Sequence, residues 1–423
     1  DKDTTFILGA DESLTDSPGV MARDWEERTR QYWAKWARSL AIPFEWQDEV
    51  IRAAITLKLC VFEETGGIVA ALTTSIPEHE GSSRNWDYRF CWIRDAYFTV
   101  TALNRLSGMG TLEHYMRWVR NIVAHSKGGH IQPVYGIGLE ADLSEDLAPN
   151  LPGFRDSGPV RRGNQAAEHV QHDVYGQVVL GVSQSFFDRR LLAQPGIAEF
   201  EQLEPVGERA FAVYDTPDAG IWEFRTIAHV HTSSAIMCWA ACDRLSRIAE
   251  RLGLDNREAY WRERADIIHE TILEKAWNDE VKAFTAAFGG TDLDASVLLM
   301  AEIGFLPASD PRYISTVEAV DRDLRMGDHV YRYKVEDDFG KPKTAFTACT
   351  FWFIDALYRV GRVEEARNMF EAVLASRNHL GLLSEDVNPE TNELWGNFPQ
   401  TYCMVGIINS AALLSKPWAA VTG

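Results

Sequence analysis

The spacing of helical segments constrains this chain more than any other feature. Apolar residues recur at three- and four-residue intervals from one end to the other, the period of a helix with one buried face. That pattern predicts thirteen helices, near 22–40, 47–63, 95–106, 111–126, 166–187, 198–214, 232–252, 256–278, 293–306, 310–326, 343–361, 363–378 and 400–415. With the first set aside, the gaps between the other twelve run 31, 4, 39, 10, 17, 3, 14, 3, 16, 1 and 21 residues, long and short in strict alternation. A short link makes an antiparallel helix pair, and six such pairs in succession can close into a ring of inner and outer helices. Every long loop then emerges on the same face. Structureless loops above about 12–15 residues are usually functional or disordered, and these contain Trp, Arg and Glu, which argues against disorder. Strand-like runs are few, chiefly Thr4 to Leu8.

A chain of 423 residues with 46% hydrophobic content can bury a large core. Its formal charge of −20 repels a phosphate backbone or an anionic membrane surface, so neither nucleic acid nor membrane is an expected partner. No run approaches 18 uninterrupted apolar residues and the start DKDTT is no secretory signal, so a cytoplasmic location is the expectation. The cysteines Cys60, Cys91, Cys238, Cys242, Cys349 and Cys403 are scattered among apolar helical neighbours, where reduced, buried thiols are expected. Cys238 and Cys242 share one helix face but lack the His or Cys companions that a metal site needs.

Three loops carry candidate chemistry. The stretch Arg84 to Asp95, RNWDYRFCWIRD, mixes Trp, Tyr and Phe with Arg and Asp and has neither helical nor strand period. Aromatic faces beside fixed Arg and Asp side chains stack on a sugar ring and hydrogen-bond its hydroxyls; a buried ion-pair cluster wrapped in core aromatics is the structural alternative. In YDTPDAGIWEFR, Glu223 follows Trp222 and stands two before Arg225. An indole that excludes water raises a carboxyl's pKa, as a general acid requires, whereas a surface Glu paired with Arg225 is the competing assignment. In HLGLLSEDVNPETNELWGNFPQ, an apolar run delivers Glu385 toward the mouth of the ring, while Asp386, Glu390 and Glu393 are assigned to a solvated turn around Pro389. Glu223 and Glu385 are 162 residues apart, so only closure of the ring brings them together. Paired carboxylates across a sugar site are the arrangement for glycoside hydrolysis.

IRDA after the aromatic run, GIWE, VYRYK around Arg332, and LLSED followed by GNFPQ together resemble the bacterial members of glycoside hydrolase family 15, which includes glucoamylases, glucodextranases and some trehalases. The similarity runs from about Trp25 to Trp418, with the motifs in family order in separate loops. It implies an all-α fold, an (α/α)6 barrel over residues 22–423 that includes a linker helix at 22–40. Residues 1–21 would be the remnant of, or linker from, a β-sandwich domain that precedes the barrel in relatives, in a chain expected to be truncated. The implied activity is exo-acting, inverting hydrolysis of an α-glucoside at a non-reducing end, with no metal or cofactor. Glucoamylase-like action on α-glucans leads; α,α-trehalase action by the same mechanism is the alternative, ahead of a non-catalytic carbohydrate-binding barrel or a phosphorylase.

Carried over by motif, Glu223 resembles the general acid and Glu385 the general base, with carboxyls expected about 6.5–9.5 Å apart. Arg94 and Asp95 resemble the pair that grips the terminal glucose, Trp92 and Trp222 the pocket wall, Tyr88 the residue holding the base or its water, and Arg332 a donor to sugar hydroxyls. In the long loop 127–165, Arg161 or Arg162 is expected to reach substrate, with the acidic run Glu140 to Glu145 as a solvated rim. The chain departs from its relatives at Ser233, where many carry a His, and at Tyr402, Cys403 and Met404, where an FSH triplet is frequent. Both departures bear on the leaving-group preference, and His229 and His231 are expected behind the catalytic residues.

Overall fold

A computed structural model describes residues 4–9, 13–126 and 129–422. The helices in chain order are α1 Pro18–Arg38, α2 Gln47–Leu59, α3 Ile93–Arg105, α4 Met109–His125, α5 Asp173–Ser183, α6 Ile197–Val213, α7 Thr232–Leu252, α8 Asp255–Lys275, the short α9 Met300–Ile303, α10 Pro311–Leu324, α11 Thr347–Arg359, α12 Val363–Ala375, α13 Thr401–Leu414 and the short α14 Ala419–Thr422. Helix α3 packs on α5, α5 on α7, α11 on α13 and α13 back on α3, with the 3-10 turn Ala295–Leu299 filling the place between α7 and α11. That is a closed inner ring. Outside it lie α4, α6, α8, α10, α12 and α2, each against its inner partner. The fold is an (α/α)6 barrel.

The sequence of each layer explains its place. Inner α13, TYCMVGIINSAALL, is apolar nearly all round and buried along almost its whole length, as a helix enclosed on all sides must be. Outer α8 buries only the stripe Trp261, Ala265, Ile268 and Ile272, at spacings of four, three and four, and shows water a charged face. Inner helices approach closely where side chains vanish. A Cβ on Gly176 of α5 would stand 2.1 Å from the Met237 carbonyl oxygen of α7, and one on Gly406 of α13 2.2 Å from the Phe351 ring of α11.

Two expected helices are broken, and both breaks serve the loop face. The helix expected over 166–187 is a 3-10 turn, Gln165–Glu168, followed by α5. Between them the backbone bonds to another loop: Val170 accepts from Ala219 N and His172 N donates to Asp218 Oδ2. The helix expected over 293–306 opens on a 3-10 turn capped by Asp294, whose side chain accepts Ser296 N at 2.8 Å. Helix α1 buries no residue and touches the barrel through α2. The strand expected at Thr4 to Leu8 is not formed; a strand needs a partner ladder, and no described strand pairs with it. Residues 1–3 and 10–12 of the expected remnant lie outside the described residues. Among the described residues no helix is long and apolar enough to cross a membrane.

Candidate active site

The inner helices begin at one end of the barrel, and there a cavity encloses about 860 Å³ measured out to its mouth. Five of the long loops line it and the sixth supports it. Glu78, Arg84, Trp86, Tyr88 and Trp92 come from the loop before α3, His169 from the loop before α5, Trp222 to Arg225 from the loop before α7, Arg332 to Phe339 from the loop before α11, and Glu385 from the loop before α13. Asp294, from the remaining loop, accepts the Trp222 indole N–H at 2.6 Å. Arg94 and Asp95, in the first turn of α3, and Gln400 and Tyr402, at the start of α13, also line it.

Glu223 sits in a tight turn. Its N–H donates to Gly220 O at 3.1 Å and Phe224 N to Ala219 O at 3.0 Å, while Glu223 itself adopts a left-handed φ of 63°. Such backbone strain is held at functional positions only by surroundings that over-determine it. Gly220, φ 67°, is part of the reason: a Cβ there would lie 2.6 Å from the His231 ring. The Glu223 side chain is 19% exposed, so it faces a chamber rather than bulk water. Its Oε1 accepts the Trp92 indole N–H at 2.6 Å and Arg94 Nη1 at 3.3 Å. The neighbouring Trp222 gives its own N–H to Asp294. Arg225 does not pair with Glu223 either; it donates to Glu145 Oε2 at 3.1 Å.

Glu385 is held in the same manner. Its Oε1 accepts the Tyr88 hydroxyl at 2.6 Å and Gln400 Nε2 at 3.3 Å, and its carbonyl accepts Thr347 N at the start of α11 at 2.9 Å. Tyr88 and Trp92 meet edge to face with ring centroids 5.5 Å apart, so one aromatic pair positions both carboxyls. Oε2 of each glutamate has no hydrogen-bond partner among the described residues. Burial and the nearby Glu78 carboxylate push Glu385 upward, opposed by the Tyr88 hydrogen bond and Arg332. Asp95, fully buried beside Arg94, is pushed up to about 6 by burial, with Arg94 opposing.

Tyr88, Trp92, Arg94, Asp95, Trp222, Glu223, Arg332 and Glu385 therefore share one cavity. Arg332 is engaged within it, Nη2 donating to both Glu78 oxygens at 3.0 Å. Arg161 stands behind the wall, bonded to Glu145 at 2.6 Å and stacked 5.3 Å from Trp86. Arg162 points outward, 62% exposed and paired with Asp146, and does not join the cavity. Glu145, expected on a solvated rim, is half-buried between Arg161 and Arg225 because two guanidinium groups draw it in. Asp386, assigned to a solvated turn, is buried: it pairs with Phe346 and Trp395 in a three-stranded antiparallel sheet. Glu390 and Glu393 are exposed as expected. His231 is buried behind Gly220, as the expectation of a supporting place required.

Several lining residues escaped the sequence. Glu78, His169 and Asp337 carry no neighbouring motif that marks them. Tyr402, noted only as a departure, lines the cavity with an unpartnered hydroxyl, its ring 5.6 Å from the Arg94 guanidinium. The loop before α11 is tied to the loops before α3 and α7 along the cavity wall. Asp337 accepts from Arg84 and Tyr333, Asp338 accepts the N–H groups of Arg225 at 2.6 Å and Thr226 at 3.1 Å, and Phe339 meets Trp86 edge to face at 4.9 Å. Burial pushes His169 below the usual imidazole value, and neither of its ring nitrogens has a partner among the described residues.

Comparison with known proteins agrees with this layout. The family model for glycosyl hydrolases family 15 matches residues 46–412. The trehalase of Thermoplasma volcanium is 32% identical over 394 residues, covering 92% of this chain and 62% of its own length. The trehalase of Mycobacterium tuberculosis is 35% identical over 399 residues, covering 92% and 58%. This chain thus spans about three fifths of the length of these relatives. Among solved structures, a bacterial glucoamylase complexed with acarbose superposes with a TM-score of 0.71 at 16% identity, over 93% of this chain and 59% of that one. The glucoamylase of Saccharomycopsis fibuligera gives 0.64 at 12% identity, over 86% and 93%. With the family model matched over most of its length and the six-hairpin barrel formed, the chain belongs to glycosyl hydrolase family 15.

Proposed function

We propose that this chain hydrolyses an α-glucosidic bond at a terminal glucose with inversion, and that trehalose is its substrate. The observation that carries the reading is the pair of glutamates on different loops of one cavity, each with one oxygen anchored and the other unpartnered. Glu223 Oε2 carries the proton delivered to the glycosidic oxygen. Glu385 Oε2 takes a proton from water as that water attacks the anomeric carbon from the opposite face, which requires carboxyls about 6.5–9.5 Å apart. Trp92 and Arg94 fix the acid, and Tyr88 and Gln400 fix the base, so neither rotates away during proton transfer. Arg94, Asp95 and Tyr402 offer planar donors and an acceptor to the hydroxyls of the cleaved glucose, with Trp92 and Trp222 as its walls.

The relatives named trehalases favour a disaccharide over the α-glucan chain that the motifs alone put first. Glucose release from trehalose, maltose, maltotriose, isomaltose and soluble starch tests this, with Glu385→Gln as control and proton NMR reading the anomer first formed. Release of β-glucose, with trehalose preferred, is expected. Preference for maltooligosaccharides replaces the substrate with the glucoamylase alternative, and release of only the α-anomer refutes inversion. Glu223→Gln is expected to abolish turnover while sparing binding; activity within a few-fold of wild type removes Glu223 from the acid's role.

A further inference from the structure

Asp386 follows the proposed base in sequence, and neither proton transfer nor sugar binding gives it a task. Its backbone is locked into the sheet between Phe346 and Trp395. Its side chain is buried; Oδ1 accepts the Thr344 hydroxyl at 2.9 Å, and Oδ2 has no partner among the described residues. Gly396 shows how near it lies to the base: a Cβ at that glycine would stand 3.1 Å from Asp386 Oδ2 and 3.1 Å from Glu385 Oε2. The two carboxyl oxygens flank the same point, no more than about 6 Å apart.

The surrounding charges do not offset that proximity. Glu78, Asp337, Glu385 and Asp386 face two guanidinium groups, those of Arg84 and Arg332. Arg332 Nη2 is given to Glu78, and Arg84 lies between Asp337 and Glu78. Glu385 has donors for a negative charge, in Tyr88 and Gln400. Asp386 has one neutral hydroxyl. A buried carboxylate oxygen with no donor is far more costly than a neutral acid in the same place, so the proton belongs where the donors are fewest.

We propose that Asp386 is held as the neutral acid beside Glu385, a positioning residue whose proton leaves the negative charge, and so the base's role, to Glu385. This rests on the reading of Glu385 as the general base. Burial, with the Glu78 and Glu385 carboxylates, drives Asp386 well above the usual carboxylate range. A like charge fixed beside the base would otherwise favour its protonation and silence it near neutrality.

The test is Asp386→Asn, which keeps both shape and neutrality. Infrared difference spectra of wild type minus variant at pH 7 should contain the carbonyl band of a protonated carboxylic acid. The acid limb of the kcat/KM profile should stay within about 0.3 pH units, because a neutral group has replaced a neutral group. Absence of the acid band, or a downward move of the limb by a unit or more, overturns the proposal by showing Asp386 charged in the wild type. Should Asp386→Asn fail to fold, Glu385→Gln decides: an acid band at neutral pH that vanishes with Glu385 assigns the proton to the wrong residue. A wild type that releases no glucose would sink the hydrolytic reading, and the infrared result would still decide where the proton sits.

Discussion

Replacing Tyr88 with Phe removes one hydroxyl and leaves the ring against Trp92, with centroids 5.5 Å apart in the wild type. The lost bond runs to Glu385 Oε1 at 2.6 Å from a buried donor. Hydrogen bonds to a charged group contribute about 1.5–3 kcal/mol, and one pKa unit is about 1.4 kcal/mol. The Tyr88 bond favours the ionised form of Glu385, so its loss raises the base by about 1 to 2 units. Gln400, 3.3 Å from the same oxygen, takes over part of the task and sets the expectation near the lower end. Glucose release from trehalose, followed as kcat/KM from pH 4 to 9, should show the acid limb displaced upward by about one unit, and below that limb about a tenfold loss. An unmoved limb, with a melting temperature matching wild type, refutes the assignment of Tyr88 as the donor that tunes the base.

Gly220→Ala forces a Cβ to within 2.6 Å of His231 at a left-handed φ, three residues before Glu223; a cost of about 1–3 kcal/mol in denaturant unfolding is expected. If the displaced turn moves the acid by about 1 Å, kcat falls by about a hundredfold, and an unchanged kcat separates the turn from the chemistry. Phe339→Ala removes the ring that meets Trp86 in the cavity lining, and kcat/KM for the disaccharide should fall by about tenfold with the fold intact; equal activity would mean that Phe339 does not touch the second sugar. Stability should decline as pH rises from 6.5 to 8. Burial pushes Asp218 and Asp355 up to about 7, so each binds a proton in the folded state that the unfolded chain has already lost. The stability they contribute is full below the unfolded carboxylate pKa and is lost as pH climbs through 7, roughly 1–2 kcal/mol for the two across this window. His172 and His231, pushed down to about 4 by burial, act oppositely as the unfolded imidazole loses its proton around 6.5, which offsets roughly half of that decline across this window and leaves a net fall of about 1 kcal/mol. Denaturant unfolding at pH 6.5 and 8 measures the difference, and a rise in stability with pH would refute the sign.

Local pattern alone determined the ring. The period of the apolar residues and the alternation of long and short gaps depend on no distant contact, so helices such as Thr232–Leu252 stand where the sequence placed them. The family motifs, each short and contiguous, likewise marked Arg94, Trp222, Glu223 and Glu385 in sequence. What lay beyond reach was every property set by neighbours remote in the chain. Which indole donates to Glu223 was decided by barrel closure, which turned Trp222 to Asp294 and brought Trp92 to Glu223. The break before α5 arose because the backbone around Val170 found partners in the loop at 218–219, a competition that periodicity cannot register. Asp386, polar among polar residues, reads as solvated until the sheet with Phe346 and Trp395 buries it. Glu78, His169 and Asp337 line the cavity only because loops far apart in the chain meet at one end of the ring. Residue type and spacing specify which segments become helices and which side chains carry charge, whereas burial, pairing and protonation are set by the cavity that tertiary closure creates.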